Sequence, residues 1–174
     1  QDIKVPASFN WNLYISIVKH RDINNDITAF THFSNYCLPN NTLYKVYYRS
    51  LYNIPPFLNE DKYIIYLDKV HNIKCPVTNY KDIYLFYNEV GKVKCPLNDS
   101  YFRIHYNIPE AFSLDSYNKR FNQNFIQTMD AYKHFDDVTK PLDEEYHKIH
   151  YNIPKDFSIE IYNKRYNFSY KAND

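Results

Sequence analysis

The feature that most constrains this chain is a string that recurs. His105-Tyr106-Asn107-Ile108-Pro109 returns as His150-Tyr151-Asn152-Ile153-Pro154, an earlier copy reads Leu51-Tyr52-Asn53-Ile54-Pro55, and Val5-Pro6 keeps its end. Self-similarity at a spacing of tens of residues marks an array of like units, each too small to bury its own apolar face alone. With the prolines as register marks, the units are 6–54, 55–108, 109–153 and a partial 154–174, read as a single repeat domain.

Each copy opens alike. Three residues after the proline stands Phe9, Leu58, Phe112 or Phe157. Then comes Asn10, Asn59, Ser113 or Ser158, and four residues later Tyr14, Tyr63, Tyr117 or Tyr162. Asn and Ser accept orphan amides at a helix start, and the apolar residue just before them suits a hydrophobic staple. This predicts a helix A in every copy, with copies three and four sharing Tyr-Asn-Lys-Arg at 117–120 and 162–165.

A second block predicts helix B. Ala29-Phe30-Thr31-His32-Phe33 matches Ala131-Tyr132-Lys133-His134-Phe135, with Ile83-Tyr84-Leu85-Phe86-Tyr87 between them. Aromatics at i, i+3 and i+4 make a helical face. The only glycine, Gly91, follows the middle copy, where a left-handed C-cap is expected.

The third block predicts helix C, from Pro96 to Tyr106 and from Pro141 to Tyr151, with proline in the first turn and acids behind it. In copy one, Tyr44-Lys45-Val46-Tyr47-Tyr48 is rich in β-formers. Its alignment with the better-capped counterparts predicts helix there too. Ile before Pro favours extended backbone, so each helix C should stop near the Asn. The expected fold is all-α, a solenoid-like array of about three and a half three-helix repeats.

Composition narrows the function classes. The 174 residues carry 21 Lys and Arg against 20 Asp and Glu, a net charge of +1, which disfavours a nucleic-acid partner. No apolar run reaches the ~18 residues of a membrane span. The 20 Tyr, 12 Phe and one Trp read first as the core of the array, and second as an exposed aromatic row for a ligand such as a sugar. Cys37, Cys75 and Cys95 form no even framework and no Cys-x-x-Cys, so free thiols in a reducing compartment are expected.

Chemistry-bearing groups are few. His147 and His150 stand at i, i+3, a possible metal pair, but no third ligand is near in sequence, and no metal or cofactor is expected. His105 and His150, like His32 and His134, recur in register, which points to a structural task. Asp136-Asp137 and Glu144-Glu145 fit helix ends. One glycine cannot supply a Gly-x-Ser-x-Gly elbow, a Walker loop or a dinucleotide fingerprint. Recurring polar residues spaced tens of positions apart suit extended binding, and the chain is expected not to be an enzyme. The binding candidates are Arg103, Arg120, Arg165, Tyr106, Tyr151, His105 and His150. Each arginine lies among tyrosines, where it either recognises a partner or closes the seam between neighbouring units by reaching a backbone carbonyl or Asp.

Phe102-Arg103-Ile104-His105-Tyr106-Asn107-Ile108-Pro109 and Phe157-Ser158-Ile159-Glu160-Ile161-Tyr162-Asn163-Lys164-Arg165-Tyr166 resemble tandem repeats in proteins of giant DNA viruses of the mimivirus type. Phe9-Asn10-Trp11-Asn12-Leu13-Tyr14, followed by Ala29-Phe30-Thr31-His32-Phe33, resembles a short helical module often found beside glycosyltransferases. That module has Tyr-Pro-Asp-Leu after its first helix and Gly after its second, where this chain has Lys19-His20-Arg21-Asp22 and Cys37. The resemblance implies a non-enzymatic viral interaction module for a protein partner or glycan, located in host cytoplasm or virion. A glycosyltransferase accessory domain and a self-associating virion component are the alternatives it leaves open. It carries over no catalytic residue.

Overall fold

Helix starts in this chain are fixed by side-chain oxygens. In the computed structural model, which describes residues 2–75, 79–138 and 142–171, the Asn10, Asn59, Ser113 and Ser158 side chains each accept the backbone amide three residues on. They cap the four helices A: α1 (Trp11–Val18), α4 (Glu60–His71), α8 (Leu114–Phe121) and α11 (Ile159–Tyr166). Each of these ends on a left-handed residue, Lys19, Asn72, Asn122 or Asn167. Asparagine tolerates that conformation better than other residues with a Cβ.

The chain divides into two compact units, Gln1–His105 and Tyr106–Asp174. In the first, α2 (Asp26–Tyr36) and α3 (Thr42–Leu51) complete copy one. Copy two adds α5 (Tyr80–Phe86), a π-helical turn (Tyr87–Gly91), α6 (Lys92–Lys94) and α7 (Asp99–His105). In the second unit, α9 (Thr128–Val138) and α10 (Glu144–His150) complete copy three, and α11 belongs to copy four. Every regular element among the described residues is helical, so the β-rich Tyr44–Tyr48 stretch lies within α3.

The cores are built of tyrosine. Phe9, Tyr14, Ile23, Ala29 and Tyr47 form one cluster in the first unit, and Ile54, Leu58, Tyr63, Tyr66, Leu67, Ile83, Tyr84, Tyr87, Cys95 and Tyr101 another. In the second unit Phe112, Tyr117, Ala131, Tyr132 and Tyr146 are buried. A buried phenol needs a hydrogen-bond partner, and the repeat supplies one by rule. The helix C tyrosine takes the N-cap amide of helix A in its own copy: Asn10 N–H to Tyr47 Oη (2.9 Å), Asn59 N–H to Tyr101 Oη (2.8 Å), Ser113 N–H to Tyr146 Oη (2.7 Å). Tyr101 and Tyr146 then donate to the Phe57 and Ala111 carbonyls. The helix A tyrosine meets the helix B histidine, Tyr14 with His32 Nδ1 at 2.7 Å and Tyr117 with His134 Nδ1 at 2.6 Å.

Copy two departs from this rule and corrects one expectation. Phe86 stands where the other copies have histidine, and Tyr63 Oη donates instead to the Cys95 carbonyl (3.1 Å). Gly91 is right-handed, with φ −63°, inside the continuing helix rather than a left-handed cap. It is glycine because a Cβ there would penetrate the Tyr63 hydroxyl.

Two helix starts also come later than expected. α7 begins at Asp99, with Asn98 Oδ1 accepting the Tyr101 amide, and α10 begins at Glu144 behind the Asp143 cap. A side-chain cap fixes the first turn, so Pro96 lies outside the helix; Pro141 lies outside the described residues. α9 begins at Thr128, after a loop in which Asn118 holds both the Phe125 carbonyl (2.9 Å) and its amide (3.2 Å). The Tyr-Asn-Ile-Pro strings end helix C as expected, with Asn53, Asn107 and Asn152 left-handed at φ 51°, 52° and 54°.

Candidate functional site

The binding candidates fall in both units. In the first, Arg103 Nε reaches Asp99 one turn back at 3.2 Å. His105 Nδ1 lies 3.3 Å from the Tyr101 hydroxyl, and its side chain lines a 310 Å³ cavity with Lys45, Arg49, Asn59 and Glu60. That cavity is walled by a committed ion cluster. Arg49 holds the Glu60 carboxylate (2.8 Å) and the Pro55 and Leu58 carbonyls, Lys45 approaches at 3.5 Å, and Tyr84 donates a short hydrogen bond to the same carboxylate. Burial pushes Glu60 up, but the Tyr84 hydroxyl, its own amide, Lys45 and Arg49 outweigh it and hold the pKa below the usual glutamate value. The seam between copies one and two is therefore closed by Arg49, an arginine that sequence reasoning did not single out. Its signal was present: Arg49 occupies the position of Arg103 and Lys148 in the aligned copies.

In the second unit Tyr106 is buried and Tyr151 is exposed. His150 Nδ1 meets the Ser116 hydroxyl at 3.1 Å and stacks on Tyr146. Arg120 grips Asp143 through Nε (2.9 and 3.1 Å) and Nη2 (2.5 Å). That forked geometry is the strongest form of ion pair. It ties helix A of copy three to the cap of its helix C. Its pair with Arg120 holds the Asp143 carboxyl below the ordinary value, against a smaller opposing effect of burial. Arg165 is exposed over the Tyr166 ring at 5.6 Å, and no carboxylate among the described residues pairs with it.

Copy four gathers what the sequence reading did not. Helix α11 repeats α8 residue for residue at its cap, core tyrosine, asparagine and arginine. Asn163 even holds the Tyr170 carbonyl (2.7 Å) and amide (3.2 Å) as Asn118 holds those of Phe125. Yet Tyr162 is 37 % exposed where Tyr117 is 0 %, and Phe157 is 40 % exposed where Phe112 is 4 %. Phe157, Tyr162, Tyr166, Phe168 and Tyr170 pack on one another, with ring centroids 4.8–6.2 Å apart, and remain open to solvent. A 470 Å³ groove lined by His147, Lys148, Ile153, Phe157, Tyr162 and Tyr170, among others, runs beside them.

The chain matches no family model, no curated protein and no solved structure at a significant level.

Among the described residues, no three His, Cys, Asp or Glu side chains come together to hold a metal ion, and all three cysteines are free. Burial pushes the Cys37 thiol up, although the Tyr14 hydroxyl 3.4 Å away opposes it. No helix among these residues is long and apolar enough to cross a membrane.

Proposed function

We propose that the chain is a non-enzymatic helical-repeat interaction module of a viral protein, a solenoid-like array of three-helix units that presents the aromatic face of copy four to a protein partner or a glycan. The observation that carries this reading is the exposure of Phe157, Tyr162, Tyr166, Phe168 and Tyr170 around the groove. Support also comes from where the recurring polar groups go. The helix A tyrosines, the helix B histidines, the helix C tyrosines and the Tyr-Asn-Lys-Arg asparagines are spent on contacts that build each copy. Its viral setting rests on the resemblance of the repeat strings. Exposed tyrosine rings with polar tips suit both protein and sugar surfaces.

Binding of the purified chain to an immobilised glycan array and to proteins that co-purify with it tests the reading. Retention is expected, and Tyr166→Ala with Tyr170→Ala should abolish it without lowering the main melting transition. Turnover of a nucleotide sugar or a glycoside by the chain, lost on one point substitution, would overturn it.

A further inference from the structure

In the first unit, two positive side chains meet one carboxylate. Arg49 spends its guanidinium on Glu60 at 2.8 Å and on the Pro55 and Leu58 carbonyls at 2.8 and 3.0 Å. That pair neutralises Glu60, which also accepts from the Tyr84 hydroxyl and from its own amide. Lys45 stands off at 3.5 Å, beside the Tyr80 ring at 4.8 Å, and makes no hydrogen bond among the described residues. Its charge is surplus to the ion pair. It borders the 310 Å³ cavity together with Thr42 and Asn59 and the apolar Val46, Pro56 and Leu58. The repeat does not call for this cluster. In the aligned copies Asp99 or Glu144 stands where Lys45 does, and Leu114 or Ile159 where Glu60 does. Replacing a buried ion pair by aliphatic side chains is often neutral or stabilising, so the cluster answers to something other than the packing of the array.

We propose that this cavity binds a short-chain monocarboxylate, its carboxylate on Lys45 Nζ and its hydrocarbon part against Val46 and Pro56. Lys45, Arg49 and Glu60 leave one positive charge, which a single negative charge balances and a phosphate dianion overshoots. Donors predominate beside Lys45. Asn59 has its Oδ1 taken by the Lys62 amide, so its NH2 is the end left to offer, and the Thr42 hydroxyl is a second donor. Glu60 is already held by Arg49 and Tyr84 and does not compete for Lys45 at hydrogen-bond geometry. The cavity is at the lower end of the roughly 300–1,000 Å³ of small-molecule sites, which suits a ligand of few carbons. The site lies within the first unit and does not rest on the reading of copy four.

The probe is sodium propionate, titrated into the full 174-residue chain at low ionic strength and followed in amide nitrogen–proton spectra, with sodium chloride at matched ionic strength as the blank. Saturable shifts of the Val46 and Asn59 amides are expected. Lys45→Met should weaken binding about tenfold or more with the melting temperature unchanged, and Lys45→Arg should restore it. Propionamide, the neutral isostere, should bind about tenfold or more weakly. Equal shifts with chloride would mean an adventitious ion only, and the proposal falls. It falls too if propionamide binds as well as propionate, if inorganic phosphate binds more tightly, if folded Lys45→Met binds as the native chain does, or if no shift saturates. A readout that needs no variant is reductive methylation of Lys45, which saturating propionate should slow several-fold and propionamide should not; unslowed modification overturns the site. None of these outcomes touches the interaction-module reading, which stands or falls on Tyr166 and Tyr170.

Discussion

Tyr117 and Tyr162 sit in the same local sequence, Phe-Ser-x-x-x-Tyr-Asn-Lys-Arg, and in the same local structure. Both helices start on a capping serine, both end on a left-handed asparagine, and both hold the following loop with the same asparagine amide. Tyr117 is buried against a histidine and a phenylalanine, while Tyr162 faces solvent. Caps and turns are therefore written within about ten residues. In copy three the burial comes from helices that arrive later in the sequence, so a Ser-capped Tyr-Asn-Lys-Arg helix is core in copy three and open to solvent in copy four.

Removing the ring should separate the two copies most. Tyr117→Ala empties a packed site and orphans His134, a cost of about 3–5 kcal/mol in urea unfolding. Tyr162→Ala should cost about 1 kcal/mol or less, as a surface change does. Equal costs would mean that the face of copy four is already covered in solution. Copy two offers the next largest effect, because its tyrosine is accommodated by a glycine. Gly91→Ala should destabilise by about 2 kcal/mol through overpacking. In a Tyr63→Phe background the same substitution should be nearly neutral, since the hydroxyl it would strike is gone. A double-mutant cycle on melting curves reads this coupling.

Much of this was legible in the sequence, and the misses have a common cause. Asn10, Asn59, Ser113 and Ser158 were readable as caps because capping is a contact over three residues. The Tyr-Asn-Ile-Pro strings were readable as helix ends. The bond from the Ser113 amide to the Tyr146 hydroxyl, 33 residues away, has no local signature. Gly91 was misread because a glycine after a helix has two explanations, a left-handed turn and a close approach, and only the position of Tyr63 decides between them. His147 and His150 have the spacing of a possible ligand pair, but no third ligand lies near them in sequence; in the fold His150 meets Ser116 and stacks on Tyr146. Among the binding candidates, Arg120 pairs with Asp143 inside copy three, whereas the equivalent Arg165 stays exposed on copy four.

The Arg120–Asp143 pair gives the comparison a pH arm. Asp143→Ala removes a helix cap, worth about 1 kcal/mol, and with it the partner of Arg120. Because the folded pKa of Asp143 is depressed, its contribution is fully present above the unfolded value, about 3.9, and is lost as pH falls through the folded one. Stability measured between pH 7 and pH 2 should therefore drop less steeply in Asp143→Ala below pH 4 than in the native chain. Arg165→Ala should leave the profile unchanged, because no carboxylate among the described residues pairs with it. A profile that Arg165→Ala flattens would reveal an acidic partner for copy four.

The smallest effect is expected to be the same in both copies, which makes it the control for the others. Asn122 and Asn167 end α8 and α11 at φ 53° and 57°, and the amides after them reach back to the carbonyls of Asn118 (2.9 Å) and Asn163 (3.0 Å). A Cβ in the left-handed region is strained unless the residue is glycine, with asparagine the best tolerated of the rest. Alanine at either position should cost roughly 1 kcal/mol, and glycine should cost almost nothing. The strain is confined to one backbone torsion, so burial of the preceding tyrosine should not change it. For Asn122→Ala the loss appears in global unfolding. For Asn167→Ala it appears as faster hydrogen exchange at the Phe168 amide, the group held by Asn163. A cost at Asn122 several times that at Asn167 would show that tertiary packing, and not local geometry, sets the end of helix A, and the division between local helix and distant burial would have to be redrawn.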